Sequence, residues 1–300
     1  MVLVSTFWKR LLLTLEMIKF EHSIFALPFA LTGAMLAWRE DGFATGGLLF
    51  KLFWIVVAMV SARSAAMTFN RLLDQDIDGR NPRTSKRQLP AGTLSRGFAW
   101  GFLAVTSIVF FWAAASLNAL CLKLAPIALG VIFFYSYTKR FTPFAHLVLG
   151  FALGIAPSAA WIAIRGSYDT RMLWLTAAVM FWTAGFDIIY SCQDYEFDQR
   201  EGLFSIPSRL GIAGALNVAR LLHVLMLVSI GALIVSFGLG WLAWAGAGVV
   251  AALILYEHSL VKADDLSRVD AAFFTVNGYV SMLFFVFWAT DILVFRRAPL

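Results

Sequence analysis

Asn70-Arg71-Leu72-Leu73-Asp74-Gln75-Asp76-Ile77-Asp78 follows without a break on 48–69, an apolar run long enough to cross a bilayer. Asn70, Asp74 and Asp78 recur every four residues. On a helix that spacing puts their oxygens on one face, each about 6 Å further along the axis. Asp76 points elsewhere. Carboxylates in such a row repel one another unless something positive stands between them. A membrane helix that emerges into a row of acids therefore predicts an all-α polytopic protein with chemistry at the membrane surface.

Composition extends this reading to the whole chain. Of 300 residues, 60% are hydrophobic and 14% charged, well outside the balance of soluble domains. This excludes a secreted disulfide scaffold, a disordered regulator and a soluble DNA-binding module. Cys121 and Cys192 both sit in apolar runs and indicate neither a disulfide framework nor a zinc cluster. At 1.5 Å per residue a span needs about 20 mostly apolar residues. Nine candidates lie near 22–38, 48–69, 98–117, 119–137, 144–164, 172–192, 212–235, 239–256 and 273–294. The third and fourth are separated only around Asn118, which predicts a helical hairpin.

The net charge of +6 is better read as topology than as nucleic-acid binding. With the amino terminus in the cytoplasm, that side collects Lys9, Arg10, Lys19, Arg71, the basic residues of 80–96, Lys139, Arg140, Arg200, Arg209, Lys262 and Arg268. The opposite side receives Arg39, Lys51, Lys123, Arg165, Arg171 and the terminal arginines. The bias predicts an integral protein of the cytoplasmic membrane with its amino terminus inside.

A second acidic segment follows the sixth span. Asp187, Tyr190 or Ser191, Asp194 and Asp198 repeat the helical spacing of the first. One Asp/Arg-rich loop is ordinarily a solvated connector; two with the same periodicity on one side of the membrane are not. Asp187 lies several residues inside an apolar run, where a carboxylate is costly and by default functional. Arg63, one to two turns before Asn70, stands out for the same reason. Oxygen-only ligands suit Mg²⁺, which keeps several waters and shares phosphate oxygens with a substrate. No glycine-rich phosphate loop accompanies them, which argues against ATP. Arg80, Arg83, Lys86 and Arg87 beside the first row, with Lys139 and Arg140 after the fourth span, are placed to neutralise phosphate. His22, His146, His223 and His258 are scattered and read as packing or interface residues. Phe134, Tyr135, Tyr137, Phe186 and Tyr190 are candidates to line a cavity and face a cation. A transporter using buried Asp and Arg as an ion relay is the alternative, but the acids sit at span ends, away from the midplane.

These segments also carry a family resemblance. Residues 70–78, followed by Arg83-Thr84-Ser85-Lys86-Arg87-Gln88-Leu89-Pro90-Ala91-Gly92, resemble the N-D-x-x-D-x-x-x-D signature and R-T-x-x-R-P-L-P-x-G tail of the UbiA family of intramembrane aromatic prenyltransferases. Asp187, Tyr190, Asp194 and Asp198 look like its second aspartate motif, and Tyr135-Ser136-Tyr137-Thr138-Lys139-Arg140 is similar to its Y-x-x-x-K-R segment. The resemblance implies one transmembrane domain over 1–300, with nine helices around a cavity open to lipid and a cytoplasmic polar cap. It also implies two Mg²⁺ ions, held by Asn70, Asp74, Asp78, Asp194 and Asp198, and a polyprenyl diphosphate donor. An aromatic acid, 4-hydroxybenzoate-like or naphthoate-type, is the expected acceptor. Arg63, Arg83, Arg87, Lys139, Arg140, Asp187 and Arg209 are the expected substrate-binding residues; Tyr190 and the aspartates are candidates for taking the ring proton, and the sequence does not assign that role among them. Arg71 replaces an Asp that often follows the Asn, and its side chain is expected to fall off the acidic face. Phe204 stands where relatives carry Lys, so Arg209 is expected to supply that charge. Lys19-Phe20-Glu21-His22-Ser23 departs from the R-F-D-K-P opening of 4-hydroxybenzoate enzymes and looks more like the 4-hydroxybenzoate-prenyltransferase-like branch of bacteria that make menaquinone through futalosine. Lys19 and His22 are thereby placed on the acceptor side.

Overall fold

A chain that crosses lipid must satisfy every backbone N–H and C=O within itself, and helices do so segment by segment. The computed structural model describes residues 2–18, 25–44 and 46–295, and these are helical apart from turns and one isolated bridge between Lys262 and Asp265. The helices are α1 (Val2–Met17), α2 (Leu27–Glu40), α3 (Leu48–Arg80), α4 (Arg96–Leu117), α5 (Ala119–Thr138), α6 (Ala145–Arg165), α7 (Met172–Ser191), α8 (Tyr195–Glu201), α9 (Ile206–Ser236), α10 (Trp241–Leu260) and α11 (Asn277–Val294). A 3₁₀ turn, Cys192–Asp194, joins α7 to α8, and a π-helical turn, Ala271–Val276, leads into α11. Among the described residues eight helices are long and apolar enough to span a membrane. This is an all-α integral membrane protein.

Two boundaries and one added helix differ from the sequence reading. The first predicted span, 22–38, is observed as the 14-residue α2, entered through Pro28 in its first turn, and residues 22–24 lie outside the described set. The helix α1 is additional; its Thr14 and Met17, with Ile18 just beyond, are buried while Leu12 and Trp8 face outward. The second span does not stop at 69. It continues as α3 for a total of 33 residues to Arg80, carrying the first acidic row on the same unbroken helix.

The predicted hairpin at Asn118 is present. The Asn118 side chain caps α5 by accepting from the Cys121 amide at 2.9 Å, and donates to the Ile162 carbonyl of α6, also at 2.9 Å. Helices α6 and α7 approach so closely that a Cβ at Gly150 would lie 2.2 Å from the Met180 carbonyl oxygen, so only glycine fits there. The buried apolar side chains form two clusters. The larger takes in Phe29, Trp161, Trp182, Phe284 and Trp288, from α2, α6, α7 and α11. The smaller joins Met17, Leu72, Leu89, Leu103, Phe110 and Leu129, from the end of α1, α3, the loop after it, α4 and α5. The acidic rows meet where these two halves adjoin.

Candidate active site

Each row is positioned by how its helix ends. At the end of α3 the chain folds back: Thr84 donates through Oγ1 to the Asp78 carbonyl at 3.0 Å, and Gln75 donates through Nε2 to the Leu89 carbonyl at 3.2 Å. This brings 81–87 over the acids. On the other half the predicted continuous helical face is interrupted. The 3₁₀ turn at 192–194 winds more tightly than an α-helix and re-aims the chain into α8. Asp187, Tyr190, Ser191, Asp194 and Asp198 nevertheless line one chamber of about 200 Å³ together with Asn70, Asp74, Asp78, Arg83, Arg87 and Lys139. Asp76 is exposed and points away, as its register predicted.

Each acid at the mouth has a partner on its own chain. Asp74, buried, accepts from Lys139 Nζ at 2.6 Å and from Arg140 Nη2 at 2.9 Å, and Asn70 Nδ2 donates to it at 3.1 Å. Asp78 accepts from Arg87 at 2.8 Å. Asp194 is held by Arg83 through Nε at 2.9 Å and through a second bond from Nη2, and by Asn81 Nδ2 at 2.9 Å. Burial alone would lower the pKa of Arg83, but its hydrogen bonds to Asp194, that carboxylate's charge, and Tyr190 and Asp78 nearby hold it above the ordinary arginine value. Asp198 accepts from Ser205 Oγ at 2.8 Å. Ser205 in turn opens α9 with a reciprocal capping pair to Ser208. Tyr190 accepts from Arg83 Nη1 at 3.2 Å and lies against Phe273, ring centroids 4.2 Å apart. Asn81, Arg83 and Asp194 also line an adjoining cavity of about 300 Å³.

Several expectations are corrected. Arg71 does not fall away from the acids: it is buried, lines the chamber, and stands 3.9 Å from Asp78 while donating to the Met17 carbonyl. Arg209 is exposed and covers the Phe204 ring at 4.6 Å, outside the chamber lining. Arg63 lies on α3 two turns before Asn70 and is likewise not among the lining residues. His146, read as a packing residue, lines the chamber and bonds Asp187 at 2.7 Å. Tyr135 and Tyr190 line the chamber, Phe186 is buried behind it, and Phe134 and Tyr137 face outward. Lys19 and His22 lie outside the described residues. Asn81, Ser136 and Ser205 carried no periodic signal; only their place next to the acids in the folded chain reveals them.

Asn70, Asp74, Asp78, Asp194 and Asp198 offer oxygen throughout, four carboxylates and one amide, which fits a hard cation. Among the described residues no three of His, Cys, Asp and Glu converge tightly enough to cage a metal alone. Mg²⁺ needs no such cage, because it keeps waters and shares phosphate oxygens.

Fold and site together define a polytopic membrane protein with a chamber lined by carboxylates, Arg and Lys at one end of its helices. Residues 26–293 match the model of the UbiA prenyltransferase family, and the chain belongs to that family. It is a prenyltransferase. The 4-hydroxybenzoate octaprenyltransferase of Vibrio atlanticus (strain LGP32) is 30% identical over 240 residues, 78% of this chain and 83% of that protein. The protein of the same name from Xanthomonas campestris pv. campestris (strain B100) is 31% identical over 255 residues, 83% of each. The apo structure of a UbiA homolog from Aeropyrum pernix K1 superposes with a TM-score of 0.81 at 35% identity, covering 90% of this chain and 98% of that one. A UbiA homolog from Archaeoglobus fulgidus bound to GPP and Mg²⁺ shares the fold, with a TM-score of 0.73 at 19% identity over 94% and 99% of the two chains.

Proposed function

We propose that the chamber holds the head of a polyprenyl diphosphate with two Mg²⁺ ions, and that the prenyl group passes to an aromatic acid of the 4-hydroxybenzoate type in quinone biosynthesis. The observation that carries this reading is the convergence of two acidic rows and a ring of Lys and Arg on one chamber at a membrane helix end. The named activity of the curated relatives supports the acceptor class, and the homolog bound to GPP and Mg²⁺ supports the donor and metal. Asn70, Asp74 and Asp78 would hold one ion, Asp194 and Asp198 the other. Bound Mg²⁺ stabilises negative charge on the departing pyrophosphate. Lys139, Arg83 and Arg87 bind the same oxygens. Tyr190, Phe273 and Tyr135 present aromatic faces to the cation-like allylic carbon and keep water from it. A naphthoate-type acid is the competing acceptor. The basic bias of the chamber end supports placing it in the cytoplasm, with the protein in the cytoplasmic membrane.

The test uses membranes containing the protein, a polyprenyl diphosphate, and either 4-hydroxybenzoate or a dihydroxynaphthoate. Mg²⁺-dependent pyrophosphate release with a prenylated hydroxybenzoate is the expected outcome. Prenylation of the naphthoate alone would move the acceptor to the other class.

A further inference from the structure

Aromatic prenylation has a step that the diphosphate machinery does not cover. The allylic C–O bond breaks with its electron pair going to pyrophosphate, and the ring carbon supplies the electrons of the new C–C bond. The ring must then lose the proton on that carbon to a base. Most acids at the chamber are poor candidates. Asp74 is bonded to Lys139 and Arg140, Asp78 to Arg87, and Asp194 to Arg83. Tyr190 accepts a hydrogen bond from a guanidinium, which weakens it as a base. These lone pairs are committed to cations of the chain, or to metal in their place, and Asp198, held by the Ser205 hydroxyl, is committed to metal in the reading above.

Asp187 is different. It lines the chamber two turns before Asp194, and its bonded partner is the His146 ring, Nδ1 to Oδ2 at 2.7 Å. The other ring nitrogen faces the backbone N–H of Ile206, in the first turn of α9, at 3.4 Å. A backbone N–H only donates, so Nε2 accepts and the ring's own proton sits on Nδ1, directed at Asp187. His146 is packed away, its side chain 7% exposed, while the Asp187 side chain is 21% exposed. The ring is behind and the carboxylate opens to the chamber.

We propose that Asp187 is the general base that takes the ring proton, and that His146 is its positioning residue. The proton then passes from Asp187 to the leaving pyrophosphate, which carries it away, so that charge and atoms balance. A neutral imidazole donor orients the carboxylate without supplying the full positive charge that would suppress its basicity. The proposal rests on the prenyl transfer to an aromatic acid argued above.

The experiment uses full-length protein in liposomes with polyprenyl diphosphate, Mg²⁺ and 4-hydroxybenzoate carrying deuterium beside the hydroxyl. For the wild type, turnover with labelled and unlabelled acid should be nearly equal, because removal of the proton is fast. For Asp187→Asn, kcat should fall about 10²-fold, the usual contribution of a positioned base, and a primary isotope effect should emerge. His146→Ala should show a smaller version of both changes, and His146→Gln, which restores an N–H donor, should recover most of the rate. Donor binding should stay within about twofold in all three, because the charged hydrogen bonds to the diphosphate are untouched. A slow Asp187→Asn with no isotope effect would reduce the pair to a structural role and overturn the proposal, as would wild-type turnover in that variant. Failure of the wild type to prenylate this acid or a ring-deuterated naphthoate would overturn the acceptor reading and the base together.

Discussion

Single side chains at the chamber separate by register and by partner. Asp74 faces the chamber and Asp76 faces solvent, two positions apart on one helix. Asp74→Ala and Asp194→Ala should each cost about 10²-fold or more in kcat, the scale of losing one charge-stabilising contact, while Asp76→Ala stays near wild type. Equal losses at 74 and 76 in a membrane activity assay would contradict the register. Lys139 and Arg96 make a second pair. Lys139 is bonded to Asp74 inside the chamber wall, whereas Arg96 is exposed at the start of α4. Lys139→Ala should weaken diphosphate binding about tenfold or more, since a charged hydrogen bond is worth about 1.5–3 kcal/mol, and Arg96→Ala should not change it. Direct calorimetric titration with the diphosphate distinguishes them. The first acidic row was legible because four-residue spacing is a property of one helix; the second was legible in its residues but not in its path, because a 3₁₀ turn at 192–194 breaks the helix between Asp187 and Asp198. His146 was not, because its meaning depends on a carboxylate 41 residues away. Arg71 was misjudged for a related reason: the face it occupies is decided by α1 and Asp78 around it, beyond what the local helix predicts.

Among the elements, α3 and the π-helical turn before α11 bear most directly on the chamber. Apolar length alone located α3, but could not say whether the helix would end with the lipid or continue; Asn81, in extended conformation, marks its end. The π turn has no such sequence mark. A wider turn leaves a carbonyl unmatched, and here Asn277 Nδ2 donates to the Ala272 carbonyl at 3.1 Å while also reaching Glu257. Asn277 Oδ1 accepts from Trp182 Nε1 at 2.6 Å. All three side chains are fully buried. The turn presents Phe273 and Phe274 to each other and to Tyr190. Asn277→Leu should therefore destabilise the protein by about 1–3 kcal/mol, the cost of stranding buried partners, and should raise the fraction of donor lost to water as free polyprenol. Thermal unfolding in detergent and product analysis read the two effects. An unchanged polyprenol fraction would detach the turn from the Tyr190 wall.

At the scale of the molecule, the chamber lies on the line where two apolar cores meet. One half supplies Asn70, Asp74, Asp78 and Lys139, and the other supplies His146, Asp187, Tyr190, Asp194 and Asp198. Bonds cross that line at Arg83–Asp194, Asn81–Asp194, Arg80–Glu201 and from the Phe204 amide to the Lys139 carbonyl. Arg83→Ala should lower the unfolding midpoint by about 2–4 °C in chelator, the shift expected for roughly 1 kcal/mol in a chain of this size. Mg²⁺ should recover part of that loss by taking the arginine's place beside Asp194. A midpoint insensitive to Mg²⁺ in the variant would mean that Asp194 does not meet the metal. The pairing of Asp74, Asp78 and Asp194 with arginines and a lysine of their own chain has a further consequence for recognition. A diphosphate arriving with its cations meets partners that are already engaged, so docking is partner-swapping: arginine and lysine turn from carboxylate to phosphate as metal turns to carboxylate. Because like charge replaces like charge, few counterions are set free, and affinity for the headgroup should depend on ionic strength far less than the crowd of charges around it suggests.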